Sequence, residues 1–119
     1  MGRKILVTGF EPFGQDTINA SWEAVSRLED RIGDMEVTKL LIPTVFGAAG
    51  EKVLEMAREL QPDAILCVGQ AAGRASVTPE VVAINLREAS IEDNAGKKPL
   101  DEPVVPGGPT AYFASVPVR

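Results

Sequence analysis

Apolar positions cluster in short blocks along the chain. Lys4-Ile-Leu-Val-Thr8 and Ala64-Ile-Leu-Cys-Val-Gly69 are almost continuously apolar, as is Val81 to Leu86. Such runs predict strands covered on both faces. Glu36 to Ile42 alternates and carries Val, Thr, Leu and Ile, which predicts another strand, ended by Pro43. Two helical patterns lie between these blocks. Ser21 is a candidate cap, and Trp22, Val25, Ser26 and Leu28 form a rough stripe to about Asp30. The second helix is expected from Phe46 or Gly47 to Leu60, with Val53, Leu54, Met56, Ala57 and Leu60 on one face. Gln61-Pro62-Asp63 stops it, because proline cannot continue the hydrogen-bond ladder. The order strand-helix-strand-helix-strand-strand predicts an α/β domain with a mostly parallel sheet.

The segments between the blocks are loops. Gly9 to Thr17 holds two glycines, a proline and two phenylalanines, and a polar segment runs from Arg87 to Pro103. Tyr112-Phe-Ala-Ser-Val-Pro-Val-Arg119 turns apolar again. Natural termini are more often polar and frayed, so further structure is expected after it.

Length places residues 1–119 in a single domain, large enough to bury roughly two-thirds of the unfolded surface. A net charge of -5 has the wrong sign for a phosphate-backbone binder, so neither nucleic acid nor an anionic membrane is an expected partner. No apolar run approaches the roughly 20 residues of a membrane helix. The start lacks the long apolar region and cleavage site of a signal peptide. A lone cysteine cannot close an internal disulfide. The expected location is the cytoplasm.

Gly9-Phe-Glu-Pro-Phe-Gly14 follows a strand but lacks the second close glycine of a dinucleotide fingerprint, and it places Glu11 where a phosphate would sit. No Gly-Lys-Ser/Thr follows Gly14, so the phosphate-loop signature fails as well. Phe10 and Phe13 are either core residues at the end of the sheet or walls of a ligand pocket there; their chemistry alone favours the core. Cys67 lies within an apolar run, and the chain has no histidine to activate it, so a buried, inert thiol is expected. Glu80 stands at a Pro-Glu junction directly before the Val81 run, where a carboxylate beside a cleft can orient a base. Its plain alternative is a solvated loop residue. Asn85 interrupts the same run and needs hydrogen-bond partners, such as loop backbone. Glu88, Glu92 and Asp93 read as a solvated face. Neither a metal site nor a cofactor is predicted.

Several of these segments, taken in order, resemble the type I pyroglutamyl peptidases, also called pyrrolidone-carboxylate peptidases. They are Gly9-Phe-Glu-Pro-Phe-Gly14, Asn19-Ala-Ser-Trp-Glu-Ala-Val25, Pro43-Thr-Val-Phe46, Cys67-Val-Gly-Gln-Ala-Ala-Gly-Arg74 and Thr78-Pro-Glu-Val-Val-Ala-Ile-Asn85. Ile91, Asp93-Asn94 and Gly107-Gly-Pro-Thr-Ala-Tyr112 continue the match, which runs from Ile5 to Pro117. The resemblance implies a three-layer α/β/α sandwich and a cysteine peptidase that removes N-terminal pyroglutamyl residues from peptides through a Cys-His-Glu arrangement. It implies Glu80 as the acidic member. It raises Phe10 and Phe13 to pocket walls around the lactam ring, joined by Thr44 and Ile91. Gln70 would give polar contacts to the lactam, and Asn19 would order that end of the sheet.

The resemblance also marks departures. The family's usual Arg-Ile-Pro-Asp-Asn run is here Ser90-Ile-Glu-Asp-Asn94, without the Arg and the Pro. The family is longer, and its nucleophile and histidine lie beyond Arg119, so an amino-terminal portion of a sandwich is expected, inactive alone. Cys67 corresponds to a strand residue and not to the nucleophile. Exposed sheet edges in such a piece imply association, either with itself as a homo-oligomer or with the missing portion. Two other readings stay open: a non-catalytic α/β module holding a nucleotide or metabolite at Gly9 to Gly14, and a pseudoenzyme that assembles with full-length subunits.

Overall fold

The structure is a computed structural model, and it describes residues 2–117; Met1, Val118 and Arg119, and with them the end of the apolar tail, lie outside them. The chain opens with β1 (Arg3–Phe10) and α1 (Ala20–Ser26), followed by β2 (Arg31–Ile32) and β3 (Met35–Ile42). Then come α2 (Ala48–Leu60), β4 (Ala64–Cys67), β5 (Val82–Ile84) and β6 (Ala111–Phe113). The main sheet has the order β2-β3-β1-β4. β1 pairs in parallel with both β3 and β4, so the central strand is flanked on each side.

Alternation along β1 assigns each helix to a face. Leu6 packs with Leu40 and Ile42, and Phe10, Val53, Met56 and Leu60 close over them from the α2 side. Val7, one residue on, packs with Val37 and with Val25 of α1, joined by Trp22 and Leu28. Helix, sheet and helix therefore form the three layers expected. Full burial of Leu6 stabilises this centre by about 2 kcal/mol relative to leaving the side chain in water.

The helix ends differ from the expectation, for local reasons. Asn19, not Ser21, caps α1: its Oδ1 accepts the Ser21 N–H at 3.0 Å. Ser21 lies inside the first turn and is buried. α1 stops at Ser26, not Asp30, because the Lys39 ammonium donates to the carbonyls of Ser26 and Leu28 and so satisfies the frayed end. The freed residues make β2, a strand not foreseen, joined to β3 by Gly33 and Asp34 with Gly33 at φ 61°. A two-residue loop led by glycine was its sequence signal. α2 ends as expected at Leu60: Gln61 turns left-handed at φ 52°, and the Asp63 carboxylate accepts the Lys4 N–H at 2.7 Å.

Two strand expectations are corrected. The run from Val81 to Leu86 supplies only Val82–Ile84, and it does not join the parallel sheet. It pairs antiparallel with β6 in a separate two-stranded sheet. Parallel neighbours require a long crossover, usually a helix, and no helix lies between β4 and β5. Val82 and Ile84 are accordingly exposed, not buried. β4 ends at Cys67 rather than Gly69, and Cys67 is exposed rather than buried. β4 is the sheet's outer strand and neither helix packs on it. α2 covers Leu6, Leu40 and Ile42 on one face and α1 covers Val7 and Val37 on the other, which leaves Ile65 and Leu66, on opposite faces, exposed as well.

Candidate active site

Because β1, β3 and β4 are parallel, the loops after all three emerge at one end of the sheet. Ligands of open α/β sheets bind at such carboxyl ends. Side chains singled out from the sequence hold these loops together. The Asn19 amide donates to the Glu11 carbonyl at 3.3 Å, while its oxygen also accepts the Ser21 hydroxyl at 2.6 Å. Ser21 Oγ in turn accepts the Phe10 N–H at 2.8 Å. The end of β1 is thereby fixed to the start of α1. Thr44, after β3, donates its hydroxyl to the Glu11 carbonyl at 2.9 Å, and its N–H reaches the Glu11 carboxylate at 3.3 Å. Gln70, after β4, accepts the Ala20 N–H through Oε1 at 2.6 Å.

This network also bears on the nucleotide-binding alternative. A phosphate on Gly9 to Gly14 would need free backbone N–H groups. Those of Phe10, Glu11 and Gly14 are already taken by Ser21 Oγ, the Ile42 carbonyl and Asn94 Oδ1. Glu11 adds a negative charge there.

Asp93 and Asn94 lock a fourth segment onto the same end, and here the sequence expectation is corrected. Asp93 is not part of a solvated face. Its Oδ2 accepts the Phe46 N–H at 2.7 Å, and its Oδ1 accepts the N–H groups of Ala95 and Lys97, each at 2.8 Å. Asn94 Oδ1 accepts from Gly14 N–H at 3.0 Å, and its Nδ2 donates to the Pro12 carbonyl at 2.9 Å. The signal available was Asp93-Asn-Ala-Gly96, a run of turn-forming residues with Gly96 at φ 79°. Desolvation works against ionisation of Asp93, but the amide donors of Lys97, Phe46 and Ala95, with the Lys97 ammonium, outweigh it and hold the carboxyl below its ordinary value of 3.8.

A depressed carboxyl contributes stability that is present above the unfolded value and is lost as pH falls through the folded one. The wild type is therefore expected to lose this contribution from about pH 4 downward, while Asp93→Asn, which lacks it, lies lower at neutral pH. Urea midpoints at about pH 6 and about pH 3 check this. The gap between the two proteins should shrink in acid; an equal gap at both pH values would contradict it.

Of the residues singled out, Phe10, Phe13, Asn19, Thr44 and Gln70 belong to these linked loops. Phe10 is half-buried, with its ring edge 3.8 Å from where a Cβ on Gly69 would stand, and Phe13 is half-buried too. Ile91 is 60% exposed, although its neighbours Asp93 and Asn94 are held in the cluster. Glu80 stands apart. Its side chain is 76% exposed, with the carboxylate 3.5 Å from the Arg74 guanidinium, which makes a shorter bond, 2.8 Å, to the Thr78 hydroxyl. Asn85 has the loop-backbone partners expected of it: its side chain donates to the Val105 carbonyl at 2.9 Å and accepts the Val105 N–H at 2.8 Å. Among the described residues no three His, Cys, Asp or Glu side chains are grouped to hold a metal ion. A complete nucleophile-base pair is not present either, since the chain contains no histidine.

The pyroglutamyl peptidase family model matches residues 3–119. The pyrrolidone-carboxylate peptidase of Enterococcus faecalis is 53% identical over 116 residues, which cover 98% of this chain and 54% of that protein. That of Bacillus subtilis is 47% identical over 120 residues, covering 100% and 56%. In three dimensions the chain superposes on the crystal structure of Bacillus amyloliquefaciens pyroglutamyl peptidase I with a TM-score of 0.93 at 48% identity, covering 98% of this chain and 57% of that one. A mutant pyrrolidone carboxyl peptidase from the hyperthermophile Pyrococcus furiosus gives 0.92 at 46% identity. The chain spans about half the length of the curated relatives it matches. Fold, ordered segments and identity all converge, and the chain belongs to the pyroglutamyl peptidase family.

Proposed function

We propose that these residues form the amino-terminal share of a cysteine peptidase that releases pyroglutamate from the amino terminus of peptides. The observation that carries this is the junction of four loops at the carboxyl end of the sheet, held by the same segments that match the family. In this account residues 1–119 are one unit of a cytoplasmic enzyme. Phe10, Phe13, Thr44 and Ile91 surround the uncharged lactam ring. Gln70 spends its oxygen on Ala20, which leaves its amide nitrogen to donate to the lactam carbonyl. Asn19 holds the Phe10 end of β1 in place.

The chemistry needs a thiolate that attacks the pyroglutamyl carbonyl and a histidine that first takes the thiol proton, then gives it to the departing amine. Water then cleaves the thioester, with the same imidazole as base. Glu80 accepts the other imidazole N–H, which fixes the tautomer and stabilises the imidazolium. The cysteine and histidine belong to the part of the family's length not matched here, because this chain has no histidine and its one cysteine lies on β4. Arg74, 3.5 Å from the Glu80 carboxylate, yields its place to the imidazolium.

The purified 119-residue chain is expected to show no release of a fluorophore from a pyroglutamyl amide. Turnover that survives repurification and depends on enzyme concentration would overturn the assignment of roles. The exposed outer strand β4, with Ile65 and Leu66, also favours a homo-oligomer through that edge. Light scattering should show mass rising with concentration, and Leu66→Lys should return the chain to a monomer; a monomer at all concentrations would refute it.

A further inference from the structure

Three cations converge on one open cavity in a chain that carries 17 acidic residues and 12 basic ones. The cavity holds about 270 Å³ and is lined by Phe46, Arg87, Lys97, Lys98, Pro99 and Glu102. Among the described residues Arg87, Lys97 and Lys98 make no salt bridge, although four other cations in the chain do. Their positions are set by backbone. Arg87 and Glu102 form an antiparallel bridge, which fixes one wall. The Lys97 N–H is held by Asp93 Oδ1, and its ammonium donates to the Phe46 carbonyl at 3.1 Å, leaving two protons free. Pro99 is buried beneath. The lining residues carry two net positive charges with Glu102 counted, and one is left when Asp93, whose carboxylate the Lys97 ammonium also favours, is set against them. The sign is still opposite to that of the chain as a whole.

We propose that this cleft takes a carboxylate of the substrate peptide, either an acidic side chain or the free carboxyl end of a short peptide, downstream of the pyroglutamyl residue. The inference rests on the pyroglutamyl assignment for its direction. Phe46 is two residues from Thr44, and two residues of chain span at most about 7 Å. A peptide whose ring lies against Thr44 therefore reaches the cleft within a few residues. A cavity of this size accommodates a carboxylate with part of its side chain. Clustered cations on a concave wall focus the field there and favour an anion over the flat surface.

Nuclear magnetic resonance titration of the 119-residue chain tests this with pyroglutamyl-Ala-Glu against pyroglutamyl-Ala-Gln amide. The acidic peptide should bind about three- to tenfold more tightly and shift the amides of Phe46, Lys97 and Lys98. Lys98→Glu, at a side chain with no polar partner among the described residues, should abolish the preference while leaving the melting temperature unchanged. Inorganic phosphate at matched ionic strength should compete with the acidic peptide. Equal affinity for acid and amide, or a preference that survives Lys98→Glu, would overturn the inference. Failure of the pyroglutamyl assignment would look different: acetyl-Ala-Glu would bind as tightly as pyroglutamyl-Ala-Glu, with the preference for acid over amide intact, which still supports a carboxylate site in the cleft.

Discussion

Glu80→Gln, introduced into a version of this sequence extended to the family's full length, should lower kcat by about two to four orders of magnitude with little change in KM. Glutamine keeps the size of the side chain and can still hydrogen-bond an imidazole, but it can hold the wrong tautomer and cannot stabilise the imidazolium formed during turnover. The loss therefore falls on the transition state and not on binding of the lactam. Cys67→Ala in the same background should leave kcat unchanged, because Cys67 sits on the exposed strand β4 and its backbone, not its thiol, pairs with Thr8. Steady-state kinetics with a pyroglutamyl amide separate the two. Inactivation by the cysteine change, with the glutamine variant fully active, would reverse the roles.

Gly9→Ala should be the most damaging of the small substitutions at this end of the fold. A Cβ on Gly9 would lie 2.9 Å from Trp22 Cα, 3.0 Å from Trp22 N and 3.1 Å from the Ser21 carbonyl carbon. These are backbone atoms and cannot rotate aside, so α1 itself must move off the sheet. Moving it strains the bond from Phe10 N–H to Ser21 Oγ and the Asn19 bridge to Glu11. Overpacking of this kind costs about 1–3 kcal/mol, and a lost hydrogen bond about 1 kcal/mol more. A drop in melting temperature of about 10 °C is expected. Because Phe10 follows directly, the affinity for pyroglutamyl peptides should fall as well. A variant as stable as the wild type would show that α1 is not packed as described.

The faces of the sheet were legible in the sequence because burial imposes period. Leu6 and Val7 point to opposite layers, and each meets a helix whose apolar stripe could be read directly. The loops were legible only through their likeness to a family. Phe10 and Asn19 say little alone, since each bond has a backbone group at one end, the Phe10 N–H to Ser21 Oγ and the Asn19 amide to the Glu11 carbonyl, and sequence does not reveal which backbone groups are free. Asp93 shows the same limit from the other side. Its charge suggested solvent, yet three N–H groups surround it, and a turn closed by Gly96 decides the matter. The run at Val81 misled for a further reason. Apolar content predicts a strand but not its sheet, and the pairing with Ala111–Phe113 depends on residues distant in sequence. Cys67 was misjudged likewise, because an apolar strand is buried only where neighbours cover it.

The most direct trial joins residues 1–117 of this chain to the remaining carboxyl-terminal portion of the Enterococcus faecalis peptidase. Fluorophore release from a pyroglutamyl amide is then followed for that chimera and for its Glu80→Gln counterpart, prepared as a matched pair. A folded chimera that turns over substrate, and loses at least about a hundredfold in rate when Glu80 becomes glutamine, is the predicted result. A folded chimera that is inactive with Glu80 in place, or equally active without it, would contradict the assignment of this carboxylate.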